Sequence, residues 1–141
     1  YNPESDVIYF CSYGNKGSTG LDIYTSKINP DGSLSESQRL PDSVNSSADD
    51  MNPVYHKETE SIIFASDRDS SIGGFDLFSA KIISPNGKYG SPERLPRAWN
   101  TSSNEYFLFP PRYVKVIFFE ELFIVVALNV FVNLSLIAID S

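Results

Sequence analysis

The sequence predicts an all-β protein assembled from antiparallel repeat units. Three observations point there. Apolar runs rich in β-branched and aromatic residues alternate with Gly-, Pro- and Asn-containing turns. Residues 8–28 are echoed by residues 62–82 at a constant offset of 54, as in Phe10 against Phe64. The same offset sets Ser12 on Ser66, Gly20 on Gly74, Asp22 on Asp76 and Lys27-Ile28 on Lys81-Ile82. After a one-residue insertion the match resumes at an offset of 55, as in Asn45 against Asn100. Gly32 then pairs with Gly87, Arg39-Leu40-Pro41 with Arg94-Leu95-Pro96, and Asp50 with Glu105. Self-similarity at a fixed period marks a repeat architecture.

The elements follow in order. Residues 7–12 read as the first strand and 21–28 as the second, joined by a glycine-rich turn over 14–20. Asn29-Pro30-Asp31-Gly32 is a turn in which Pro presets φ and Gly accepts a positive φ. Ser84-Pro85-Asn86-Gly87 does the same one repeat later. Residues 37–40 and 92–95 are short third strands, ended by Pro41 and Pro96, which donate no ladder hydrogen bond. Polar connectors over 42–50 and 97–104 lead to the next unit, and their width argues against a simple meander. Residues 52–55 and 106–109 open the following units, and 62–65 with 75–82 form the central hairpin. Four strands in roughly 55 residues is the size of a β-propeller blade.

Composition narrows the function. A chain of 141 residues with 41% hydrophobic content is long enough for a packed core. A net charge of −7, with no Lys/Arg cluster, argues against nucleic acid as a partner. With one cysteine, Cys11, the chain has no intrachain disulfide, and Cys11 in its apolar strand reads as a small buried hydrophobe. One histidine, His56, and one cysteine do not make a common zinc site. No cofactor is expected. The polar opening, Tyr1 to Asp6, carries no secretory signal, and a start at Tyr points to a processed or truncated chain.

The last third departs from the pattern. Ile117-Phe118-Phe119 still fall on Ile62-Ile63-Phe64, but Glu120-Glu121 stand where Ala65-Ser66 should repeat. Residues 122–139 form an apolar run broken by Asn129, Asn133 and Ser135. Three readings are open: a divergent pair of buried strands, a foreign tail such as a frame error would give, or a membrane-spanning helix.

The succession Phe64-Ala65-Ser66-Asp67-Arg68, Gly73-Gly74-Phe75-Asp76-Leu77-Phe78, Asn86-Gly87-Lys88-Tyr89-Gly90-Ser91-Pro92-Glu93-Arg94-Leu95, Asn100-Thr101 and Asn104-Glu105-Tyr106 carries a resemblance. It resembles the TolB-like, WD-repeat-like β-propeller units of bacterial cell-envelope proteins. It is most similar to those preceding OmpA-type peptidoglycan-binding domains in Bacteroidetes-type bacteria. The likeness covers about residues 6–119, and in the first unit Tyr13-Gly14 replaces the Asp-Arg pair. The resemblance implies a periplasmic or outer-membrane-associated location in a Gram-negative bacterium. It also implies envelope protein partners and a binding or scaffolding role without catalysis. Peptidoglycan binding belongs to a domain outside this chain.

Candidate sites compete with structural roles. Asp22 and Asp76 could be ligand or metal carboxylates, but their recurrence favours pinning each hairpin through backbone N–H groups. Asp67, Arg68 and Asp69 match a calcium loop weakly and read better as a surface turn with a local Asp–Arg pair. Asp49-Asp50 with Glu105 could be paired glycosidase carboxylates, though acids are common in exposed connectors. Trp99, Tyr106 and Phe107 could line a recognition surface, or Trp99 could plug the space between units. The structural repeat positions are Phe10, Ser12, Gly20, Asp22, Gly32, Phe64, Ser66, Asp67, Arg68, Gly73, Gly74, Asp76, Gly87 and Asn100.

The expected organisation has three parts. Residues 1–50 are a first blade without its opening strand and 51–104 a complete central blade. Residues 105–141 start a third blade that diverges after 119 into the apolar tail. Propellers typically close with four to eight blades, so this is an incomplete propeller. The expected function is a non-catalytic interaction module of the envelope. The alternatives are a carbohydrate-binding or glycoside-hydrolysing propeller, or the accessory propeller of a peptidase.

Overall fold

The structure, a computed structural model, describes residues 1–14, 20–84 and 87–106, with the backbone of two further strands at 115–119 and 122–126. Every regular element among the described residues is a β-strand, and all pairings are antiparallel.

The first sheet has the order β1 (Val7–Ser12), β2 (Asp22–Lys27), β3 (Gln38–Arg39). In the second, β4 (Asp50–His56), β5 (Ser61–Ser66) and β6 (Asp76–Ser84) lie side by side. Two short strands, β7 (Lys88–Tyr89) and β8 (Glu93–Arg94), follow one another along β6. Within each sheet the longer strands neighbour one another in chain order, while β8 pairs with β6 rather than with β7. The wide connectors, 42–49 and 97–104, lie after the sheets rather than inside them. β7 has no counterpart in the sequence reading, whereas β1 matches it residue for residue.

Registers repeat with the sequence. Phe10 lies opposite Tyr24 and Phe64 opposite Phe78, with ring centroids 5.9 Å and 6.2 Å apart. Tyr24 then faces Arg39 as Phe78 faces Arg94. The bridge Ile28–Leu34 has its equivalent in Ile82–Tyr89. Gly32 and Gly87 both adopt positive φ, 83° and 81°, as their turns require.

Strand alternation decides the core. Side chains of successive residues point to opposite faces. Tyr9 and Ile23 share one face of the first sheet, joined there by Leu40 and Val44. Ile62, Phe64, Phe78 and Ala80 share a face of the second sheet, and the two sets pack together as one cluster. Thus the sheets stack through opposite faces. On the faces turned away from this contact Ile8, Phe10, Ile63, Ala65 and Leu77 are buried as well.

Lys115–Phe119 and Leu122–Val126 form an antiparallel pair, β9 and β10. The start of the apolar tail is therefore extended backbone. The rest of 122–139, with its proposed membrane helix, and residues 107–109 of the expected opening strand lie outside the described residues. No helix among the described residues is long and apolar enough to cross a membrane.

Candidate functional site: the junction between the sheets

Both third strands end after two residues at a Leu-Pro pair; the Leu40 and Leu95 amides still reach the Ile23 and Leu77 carbonyls, but the Ile23 and Leu77 amides find no strand acceptor. An asparagine takes over. The Ile23 amide donates to Asn45 Oδ1 at 2.8 Å, and Asn45 Nδ2 donates to the Ile23 and Leu40 carbonyls at 3.0 and 2.9 Å. In the second sheet the Leu77 amide donates to Asn100 Oδ1 at 2.7 Å. Asn100 Nδ2 donates to the Leu77 and Leu95 carbonyls at 3.0 and 2.9 Å. A short side-chain amide offers acceptor and donors together, so it can replace a peptide group of the missing strand. Both asparagines are buried.

A second pair of clamps closes the connectors. Ser46 donates its amide and hydroxyl to Asp50, at 2.6 and 2.9 Å. Thr101 donates the same two groups to Glu105, at 3.1 and 2.6 Å. The Leu21 amide donates to Asp49 Oδ1 as the Phe75 amide donates to Asn104 Oδ1. Here glycine is required by close approach. A Cβ on Gly20 would meet Asp49 Oδ1 at 2.5 Å, and one on Gly74 would collide with Asn104 Oδ1.

Asp76 accepts the Ile72 and Gly73 amides, so the hairpin-pinning role expected of it is what the structure shows. Asp22 is held by Arg39 through Nε and Nη2, at 2.6 and 2.9 Å. That pairing raises the Arg39 guanidinium above its ordinary range. Ser12 and Ser66 each turn a hydroxyl to the amide two residues on, Gly14 and Arg68. Asp67 Oδ1 accepts the Asp49 amide at 2.9 Å.

Arg68 corrects the expectation of a surface turn. Its side chain is 15% exposed and pairs at 2.6 Å with Asp50, which is 0% exposed, rather than with a flanking aspartate. Nη2 also donates to the Val44 carbonyl at 2.8 Å, and Nε to Ser66 at 3.0 Å. The guanidinium carbon lies 5.2 Å from the Phe64 ring centroid and 4.8 Å from that of Phe78. One side chain thus ties the connector after the first sheet to the opening strand and the aromatic face of the second.

Asp50 is likewise no exposed connector acid. Asp49, Asp50 and Glu105, once candidates for paired carboxylates, each serve a separate clamp. Among the described residues no group of three or more His, Cys, Asp or Glu side chains gathers as a metal site. Cys11 is buried, and burial raises its thiol pKa. Trp99 is 55% exposed and Tyr106 partly so, its ring 5.1 Å from that of Phe75. Trp99 therefore does not plug the junction seen here. Phe107 lies outside the described residues. An open cleft of about 620 Å³ at the other end of the junction is lined by Tyr9, Tyr55, Tyr89, Lys27, Glu36 and Glu60 among others.

The role of Asn45 escaped the sequence reading, although its pairing with Asn100 was visible. The signal was a polar residue recurring a fixed distance after Leu-Pro. Comparison with family models, with curated proteins and with solved structures finds no match.

Proposed function

We propose that the chain is a stack of β-propeller blades serving as a non-catalytic interaction or scaffolding module of a bacterial cell envelope. The observation that carries the blade reading is the recurrence of the asparagine clamp, three bonds at Asn45 and the same three at Asn100. Repeats that rebuild one hydrogen-bond set at one sequence spacing are the units of a modular array. In this reading 1–50, 51–104 and 105–141 are a first blade without its opening strand, a central blade and the start of a third. The side-by-side order β4-β5-β6-β8 supports the central one.

The carboxylates are engaged in backbone clamps, which supports a scaffold over a hydrolase. Binding then uses the connectors, where loops gather on a rigid frame. The envelope location and the envelope protein partners rest on the sequence resemblance.

The test is fractionation of the native source with an antibody to this chain, followed by affinity isolation from each fraction. The reading expects recovery with periplasm or outer membrane and a recurrent envelope partner. Recovery in the cytoplasm overturns the location, and hydrolysis of a glycoside panel by the purified chain overturns the non-catalytic role.

A further inference from the structure

The open cleft of about 620 Å³ lies between the two sheets, at the end of the junction away from the connectors. That volume falls in the range of ligand sites. Both sheets line it, and its lining departs from the repeat. Tyr9 stands where the second sheet has Ile63, and Tyr89 where the first has Leu34. The repeated frame therefore needs neither phenol, and their meeting is particular to this junction.

Tyr9 and Tyr89 are 4% and 8% exposed, and their hydroxyls interact with each other. A bond between two hydroxyls uses one proton and leaves the other to be donated. Asn2 is as buried as Tyr89; its Oδ1 accepts the Glu4 amide, while Nδ2 has no partner among the described residues. No sealed side-chain nitrogen or oxygen among the described residues lacks a partner, so these donors open on the cleft that they line. An unmet donor on a nearly buried side chain calls for an acceptor.

The rim is acidic. Glu4, Glu36 and Glu60 line the cleft against one cation, Lys27. Lys57 pairs with Glu4 at 3.1 Å. Glu36 and Glu60 have no ion pair among the described residues, and Lys27 reaches neither. Val7, Ile82 and Ile83 add an apolar wall, with Ile83 56% exposed.

We propose that this cleft takes a basic peptide segment of a protein partner, its lysine or arginine side chain running along Val7, Ile82 and Ile83 to Glu36 and Glu60. Carbonyls of the segment accept from Asn2 Nδ2 and from the free phenol proton. A basic side chain fits both surfaces, because its stem is apolar and its head is charged. A neutral sugar would leave the two carboxylates without a counterion and the apolar wall uncovered. The inference rests on the interaction-module reading and adds to it a second site, opposite the connectors, and the chemistry of the partner.

The test titrates the isotope-labelled full chain with blocked alanine heptapeptides carrying Arg, Lys, Leu or Glu at the centre, and with chitotriose. The proposal expects the Arg and Lys peptides alone to shift the amide resonances of Val7, Lys27 and Ile83 saturably. The double variant E36Q/E60Q should weaken that binding by about tenfold, since two exposed charge pairs are lost. Y89F, which keeps the ring, should weaken it by about fivefold. Equal shifts from the Leu peptide, or an affinity unchanged in E36Q/E60Q, overturn the basic side chain as the ligand. Shifts from chitotriose alone overturn the peptide in favour of a sugar. Shifts confined to 42–49 and 97–104, or none, overturn the cleft as a site, while the fractionation and affinity isolation still test the interaction module separately. Circular dichroism checks each variant; should Y89F fail to fold, E36Q/E60Q on the exposed rim decides.

Discussion

Replacing Arg68 with methionine probes the junction most severely. The substitution keeps a long apolar side chain between Phe64 and Phe78 but removes the cation. Asp50, 0% exposed, would keep its Ser46 donors and lose its countercharge. Removing one partner of a buried pair costs about 3–5 kcal/mol, because the other charge is left uncompensated. The two ring contacts add about 0.5–1 kcal/mol each, partly offset by the packing of methionine. R68M should therefore lose about 3 kcal/mol or more. At a urea dependence of about 2 kcal/mol per molar, the unfolding midpoint falls by about 1.5 M. The assay is urea unfolding followed by far-ultraviolet circular dichroism, repeated for D50N and for the double variant. The double variant should be less destabilised than the sum, with a coupling of about 1–3 kcal/mol. A loss under about 1 kcal/mol for R68M, or strict additivity, would refute the claim that the Arg68–Asp50 pair anchors the opening strand of the second sheet.

Neighbouring residues should behave oppositely. N100A strips three bonds from a buried site and should cost about 3 kcal/mol, at about 1 kcal/mol per bond, while exposed W99A stays within about 0.5 kcal/mol; urea midpoints compare them. Burial, then the neighbouring Tyr89, raises the Tyr9 phenol above its ordinary value, and burial raises Tyr89. A phenol with a folded pKa above its unfolded one adds stability that is full below the unfolded pKa of about 10 and declines as pH rises beyond it. Y9F should accordingly lose less stability than the parent chain above that pH, read from midpoints across an alkaline series. Cys11, buried with its pKa raised, should react with a thiol reagent only on unfolding, followed by the rate of label uptake in urea.

Much of the strand pattern was legible because alternation and turn chemistry act locally. β1, β5 and β6 begin or end within a residue or two of where apolar runs give way to Ser, Asp and Gly. β4 was harder. It begins at Asp50, which reads as a connector acid until Arg68, eighteen positions on, is seen to neutralise it. Sequence spacing does not show that two such residues meet across a sheet junction. β7 was missed because a two-residue pairing after a turn carries no periodicity, although Tyr89 is buried there. The asparagine clamp was half legible: the repeat aligned Asn45 with Asn100, but only the early end of each third strand explains why an amide is needed.

Hydrogen exchange at the amides of Ile23 and Leu77 tests the central claim, that the two sheets are built by one repeated device. Each amide donates to the side-chain oxygen of its asparagine rather than to a strand. The account predicts strong protection at both in the full chain. N45A should abolish protection at Ile23 first, and N100A at Leu77 first. Protection at only one of the two, or loss at neither on asparagine replacement, would contradict it.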